Sequence, residues 1–209
     1  MKISTRILFA GAAMGCVIAT GVVAQDAMTK NPAEVRAGAY TLDASHGKIT
    51  WAVTHIGFST YIGQFTGTAA KLKLDPKNPS AATLEASVDM NSVGALNEGL
   101  DKHLKGPDFF DVAKFPMATF KSTSVKTTGE RTADITGDLT LHGVTKPITI
   151  QATFNQAGPF PMSKAYTVGF DGVATIKRSE FGINYGVPMV SDDVKLKFEA
   201  EFKADAAAK

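Results

Sequence analysis

"VKLKFEAEF", residues 194–202, decides the class of the chain. Val194, Leu196, Phe198, Ala200 and Phe202 share one side of a period-two ribbon, against Lys195, Lys197, Glu199 and Glu201 on the other. Side chains alternate faces this way only in a strand. The segment therefore reads as a strand with one dry and one wet face. The same alternation recurs upstream: Leu84, Ala86, Val88 and Met90; Ile135, Gly137, Leu139 and Leu141; Ile148, Ile150, Ala152 and Phe154; and Tyr166 through Ile176. Adding 48–55, 63–74 and 117–125 gives about eight strands. Phe65 is out of phase with Leu72 and Leu74, which predicts a bulge between them.

The breaks carry turn chemistry: "DPKNPS" (75–80), "TTGE" (127–130), "HGVTKP" (142–147) and "AGPFPMS" (157–163). One segment differs. In "NEGLDKHLKGP" (97–107), Asn97 is an N-cap, Leu96, Leu100 and Leu104 share a face, and Gly106-Pro107 is a stop. A short helix over about 97–105 is expected. The class is all-β, as a closed barrel or a two-sheet sandwich, because one-sided strands must bury their dry faces together. The inward faces mix bulky residues with Ala86, Gly137, Ala152, Gly172, Ala174 and Ala200. An eight-stranded barrel can be filled by side chains or hold one small ligand. The pattern leaves both open.

The first two dozen residues read as an address. Lys2 and Arg6 precede the apolar run "ILFAGAAMGCVIATGVVA", and Val22 and Ala24 stand at the small positions before a cut. A secretory signal cleaved after about Ala24 is expected, with a periplasmic destination. The only cysteine, Cys16, lies inside it, so the mature chain has no thiol or disulfide chemistry. Losing Lys2 and Arg6 leaves 20 basic against 20 acidic residues, with no electrostatic footprint for nucleic acid. Residues 25–38 lack periodicity and read as a leader, 39–204 as one domain, and 205–209 as a tail.

Motifs for catalysis are missing: no G-x-S-x-G, H-E-x-x-H or P-loop, and no G-x-G-x-x-G between strand and helix. His46, His55, His103 and His142 show no metal-ligand spacing. His55 is unusual because it follows Ile49, Trp51 and Val53 on a row that is otherwise core. "GPDFFDVAKFPMATF" (106–120) gathers Phe109, Phe110, Phe115 and Phe120, as an aromatic lid or a hydrophobic plug.

Four blocks carry a resemblance: "YTLDASHGKITWAVTHIGFSTYIGQF", "LDKHLKGPDFFDVAKFPMATFKSTSV", "GDLTLHGVTKPITI" and "RSEFGINYGVPMVSDDVKL". In order, from about Tyr40 to Phe202, they resemble the YceI-like, polyisoprenoid-binding family. The resemblance implies an eight-stranded antiparallel, lipocalin-like barrel. It also implies export and a long isoprenoid lipid, a polyprenyl phosphate or an isoprenoid quinone, held inside for carriage or storage, with no other cofactor. Leu100 stands where many members show an arginine, which implies a less charged head.

Strand parity and the resemblance together name Trp51, Val53, His55, Phe58, Phe65, Phe120, Leu139, Ile150, Phe170 and Phe198 as lining residues. Arg178 is a candidate for a phosphate head, or a surface residue at a strand end. A tail of about forty carbons is worth on the order of 12 kcal/mol at ~0.3 kcal/mol per atom on leaving water. Most of that cancels when the tail comes from a membrane, where it is already dry. Discrimination then falls to cavity shape and to polar groups such as His55. Partners are the lipid and transient contact with a membrane surface; oligomeric state is open. Two rivals stand beside this carrier: an enzyme using His55 or His103 as general base, and a packed, stress-responsive barrel acting through protein partners.

Overall fold

Among the described residues, eleven strand segments and one α-helix follow one another. The strands are β1 (Gly38–Leu42), β2 (Lys48–His55), β3 (Ser59–Phe65), β4 (Thr68–Leu74), β5 (Thr83–Asp89) and β6 (Val93–Gly94). After the helix α1 (Glu98–Lys105) come β7 (Met117–Thr127), β8 (Thr132–Leu141), β9 (Val144–Pro159), β10 (Tyr166–Lys177) and β11 (Asp193–Ala204). They are seen in a computed structural model that describes residues 27–206; the expected signal segment lies outside those described residues.

The eleven segments make eight staves. β1 and β2 lie end to end along β11: Tyr40 faces Ala204 and Leu42 faces Phe202, then Lys48 faces Glu199 and Ala52 faces Lys195. β4 and β3 follow β1 and β2 in the same manner, and β5 and β6 follow β4 and β3. Each of these three pairs is one long strand broken once. β7 pairs with β5, the strands from β8 to β11 pair in succession, and the return of β11 to β1 and β2 closes the ring. The protein is a closed, eight-stranded antiparallel barrel with one helix, which decides between barrel and sandwich.

The breaks have local causes. Between β3 and β4 the chain steps at Thr66 and Gly67, so Phe65 and Leu72 both point inward despite their odd separation. Between β1 and β2, residues 43–47 loop outward. There the Asp43 carboxylate gathers Lys203 Nζ at 2.6 Å, Ser45 Oγ at 2.7 Å and His46 Nδ1 at 2.9 Å.

α1 starts where Asn97 Oδ1 accepts the Leu100 N–H at 3.0 Å and stops at Gly106. Leu104 is buried and Leu100 half-buried. Leu96, expected on the same face, is fully exposed with φ +56°. It precedes the cap and lacks helical dihedrals, so helical spacing does not apply to it.

The leader docks on the barrel. Thr29 exchanges backbone hydrogen bonds with Ala157 at 2.8 and 2.9 Å, Asn31 caps a short turn at Pro32–Glu34, and Val35 is buried. One bridge and one anchor residue leave no period in a sequence, so this docking carried no signal.

Buried side chains form three groups along the barrel axis. Val35, Tyr40, Phe154, Tyr166 and Phe202 cluster at the end under the leader. Trp51, Phe65, Met90, Leu104 and Phe181 pack beneath α1, where Phe110 meets Phe65 edge-on at 5.5 Å. Among the described residues, only Phe120, Ile150 and Ala174 are buried in the belt between. That thin belt is where the cavity lies.

Candidate functional site

Large rings on a barrel wall fill the lumen only if they stand away from the wall. Here they lie against glycines. A Cβ at Gly63 would fall 2.1 Å from the Trp51 ring, one at Gly137 would fall 2.5 Å from Phe120, and one at Gly172 would fall 3.3 Å from Phe198. The small residues of the inner faces therefore let the rings flatten, and the lumen stays open. The result is a cavity of ≈ 820 Å³ that runs from the leader end to the α1 end. That volume lies in the upper part of the range usual for ligand sites.

Ten of the eleven residues singled out in the sequence line this cavity. Phe198, Ile150, Phe120 and Leu139 surround its middle, Phe170 packs against Phe154 and Phe202 toward the leader end, and Phe65, Trp51, Val53, His55 and Arg178 lie toward α1. Phe58 does not join them. It is 88 % exposed at the tip of the β2–β3 turn, because the turn consumes the period that carried the row from Ile49 to His55.

Arg178 is neither a surface residue nor a free cation. It is 5 % exposed and donates from Nε to Ser191 O at 3.0 Å. Nη1 donates to Ile183 O and Tyr185 O at 3.1 and 2.7 Å, and Nη2 to Val190 O at 2.9 Å. Burial lowers its pKa from the ordinary value, and the nearby Asp192 charge opposes that. The two other cations on the lining are engaged as well. Arg131 binds Phe154 O and Asn155 O at 2.6–2.9 Å, and Lys48 pairs with Glu199 at 3.1 Å.

The wall toward α1 has a different character. Tyr61, opposite Val53 in the β2–β3 ladder, places its ring 6.5 Å from Trp51 and 6.4 Å from His55. Trp51 Nε1–H is buried with no acceptor among the described residues. Such an orphan donor costs about 1–3 kcal/mol. Tyr61 and His55 make no side-chain hydrogen bond among the described residues. At the mouth, His103 Nε2 meets Asp108 at 3.0 Å, and its ring packs edge-on against Phe109 at 4.9 Å and Tyr185 at 5.0 Å.

Tyr61, His103, Phe109 and Tyr185 also line the cavity; the sequence offered Phe109 as part of a lid or plug and His103 only as a possible base, and it missed Tyr61 and Tyr185. Tyr61 shares the parity of Phe65 and could have been found from it. Tyr185 lies in a loop without period, and only the fold carries it to α1. The remaining histidines are elsewhere: His46 binds Asp43, and His142 Nδ1 meets Phe181 O at 3.1 Å. No grouping of three or more metal-ligating side chains occurs among the described residues.

The profile of the YceI-like domain matches residues 40–202. The chain belongs to the YceI-like family. A UPF0312 protein of Pseudomonas savastanoi pv. phaseolicola is 40 % identical over 169 residues, covering 79 % of this chain and 88 % of the relative. Among solved structures, BcnA of Burkholderia cenocepacia superposes with a TM-score of 0.70 at 27 % identity, over 77 % of this chain and 98 % of that one. A domain of Saccharophagus degradans described as polyisoprenoid-binding superposes with a TM-score of 0.62 at 16 % identity, over 81 % and 100 %. At that identity the likeness concerns the fold alone.

Proposed function

We propose that the protein is an exported carrier or store that holds an isoprenoid lipid in its barrel and does no chemistry on it. The observation that carries this reading is the apolar cavity of ≈ 820 Å³ reaching both ends of the barrel. At about 30 Å³ per carbon group, close to the share of one water, it takes on the order of 30 carbons. A longer tail projects from one end.

A neutral head, such as a quinone, suits the site better than a phosphate. All three cations on the lining already have partners, as described above, and a phosphate would arrive without a counter-charge. Trp51, Tyr61 and His55 instead offer hydrogen-bond donors to a carbonyl or hydroxyl oxygen. Leu100, in place of an arginine, agrees with this.

The test uses the single tryptophan, which lies on the cavity wall. Mass spectrometry of an organic extract, from protein purified out of a periplasm without detergent, is expected to show a stoichiometric isoprenoid with a neutral head. After delipidation, an added isoprenoid quinone is expected to quench Trp51 fluorescence to saturation. An empty extract together with absent quenching would overturn the reading.

The rival enzyme has one observation in its favour, the His103–Asp108 pair at the mouth. It predicts that bound lipid is recovered chemically changed, and that His103→Ala stops the change.

A further inference from the structure

The cavity has a second opening under the leader. Asn31, Ala33, Pro79 and Gly129 line it there and are exposed, so this opening lies between the leader, the β4–β5 loop and the β7–β8 turn. Pro32 and the buried Val35 line it as well. The leader is therefore part of the cavity wall, and it stands across the way out.

Little ties the leader down. β9 outruns β8: Thr132 and Thr153 are their last pair at this end, which leaves the edge of residues 155–159 without a strand of β8 beside it. Thr29 makes one pair on that edge, its N–H donating to Ala157 O at 2.8 Å and the Ala157 N–H to Thr29 O at 2.9 Å. Among the described residues, these are the only hydrogen bonds from residues 29–35 to the barrel. The others close within the segment. Thr29 Oγ1 donates to the Glu34 carboxylate and accepts the Asn31 N–H at 3.0 Å. Asn31 Nδ2 reaches the same carboxylate at 3.1 Å, and Asn31 Oδ1 accepts the Ala33 N–H at 3.1 Å. Local bonds of this kind hold a turn together without help from its surroundings.

The next residue is held quite differently. The Arg36 N–H donates to Tyr166 Oη at 3.2 Å, its carbonyl accepts from the Tyr40 hydroxyl, and its guanidinium lies 4.5 Å from the centre of the Tyr166 ring. A fixed point at Arg36, a self-bonded piece before it and a single bridge at the far end are the parts of a hinged strap. Segments with few ties to the core are the first to open.

Cargo length supplies the reason to open. The lumen takes on the order of 30 carbons, and the head belongs beside Trp51, Tyr61 and His55 at the opposite end. A longer tail runs into Pro32, Ala33 and Val35. We propose that residues 29–35 lift about Arg36 as one strap, and that the surplus of a tail longer than the lumen leaves the barrel beneath them. The inference rests on the carrier reading and adds to it the class of cargo, isoprenoids whose tails exceed the lumen.

The experiment staples the strap with Thr29→Cys/Ala157→Cys. Residues that exchange both backbone bonds have Cα atoms about 5.5 Å apart, within reach of a disulfide. The chain's own cysteine, Cys16, lies in the expected signal segment. Delipidated protein is titrated with isoprenoid quinones whose tails have about 20 and about 50 carbons, on either side of the lumen's capacity, and Trp51 quenching is followed. The oxidised staple should bind the short quinone as the wild type does and lose tenfold or more in affinity for the long one, with recovery in dithiothreitol. Thr29→Pro removes the bridging N–H and should act in the opposite sense, speeding uptake of the long quinone severalfold. A purely structural role would instead weaken both quinones in both variants. Equal affinity of the stapled and reduced forms for the long quinone, equal loss of both quinones on stapling, or unchanged uptake by Thr29→Pro would overturn the proposal. A wild type that binds the short quinone but not the long one removes the strap alone. A wild type that binds neither removes the carrier reading and the strap with it.

Discussion

Replacing Arg178 by Met should be among the most damaging single changes in the barrel. The substitution keeps most of the side chain's volume and removes all four bonds to the carbonyls of Ser191, Ile183, Tyr185 and Val190. Charged hydrogen bonds are worth about 1.5–3 kcal/mol each, but one guanidinium's contributions do not simply add. Water reaches part of the loop once it loosens, which returns some of the loss. The expected net cost is about 3–5 kcal/mol, as for breaking a buried charged cluster, against a total stability of roughly 5–15 kcal/mol. Arg178→Lys keeps the charge but lacks the planar fork, so it should recover less than half. The assay is equilibrium urea unfolding followed by Trp51 fluorescence. With a slope of roughly 2 kcal/mol/M, the midpoint should fall by about 1.5–2.5 M for Met, with m unchanged. A fall below about 0.5 M, or full recovery by Lys, would refute the view that this arginine ties the 183–191 loop to the barrel.

Two further outcomes are expected. Ala152 lines the cavity between Ala133 and Gly172, so Ala152→Leu should fill lumen, raise stability by up to ~2 kcal/mol at ~0.8 kcal/mol per buried carbon, and reduce extracted lipid. Lower stability with undiminished lipid would contradict an open lumen. Asp43 has its pKa held well below the usual carboxylate range, first by Lys203 and then by Ser45 and His46. Its contribution is fully present above the unfolded value of about 4 and is lost as pH falls below it toward the folded value. The Tm difference between wild type and Asp43→Asn should therefore shrink as pH drops from ~6 to ~2.5; a constant difference would assign Asp43 no linkage.

Much of the fold could be read locally. The parity of Val194 to Phe202 and the Asn97 cap are properties of a few adjacent residues, and each produced the element it predicted; the phase slip after Phe65 marks a break between two strands instead of a bulge within one. Phe58 and Leu96 were misplaced for one reason: a period was carried across a left-handed residue, Ile56 in one case and Leu96 itself in the other. Arg178 was ambiguous because four carbonyls spread over residues 183–191 leave no mark on composition or spacing.

The amino-acid order alone determined strands, the helix, their wet and dry faces and the YceI-like resemblance, because these depend on side-chain alternation and capping within a few residues. The tertiary structure decided that the staves close, that rings flatten on Gly63, Gly137 and Gly172 to leave a cavity, and that Tyr185 meets His103 at its mouth. Those outcomes depend on which strands become neighbours across the barrel. Local alternation carries no record of that pairing.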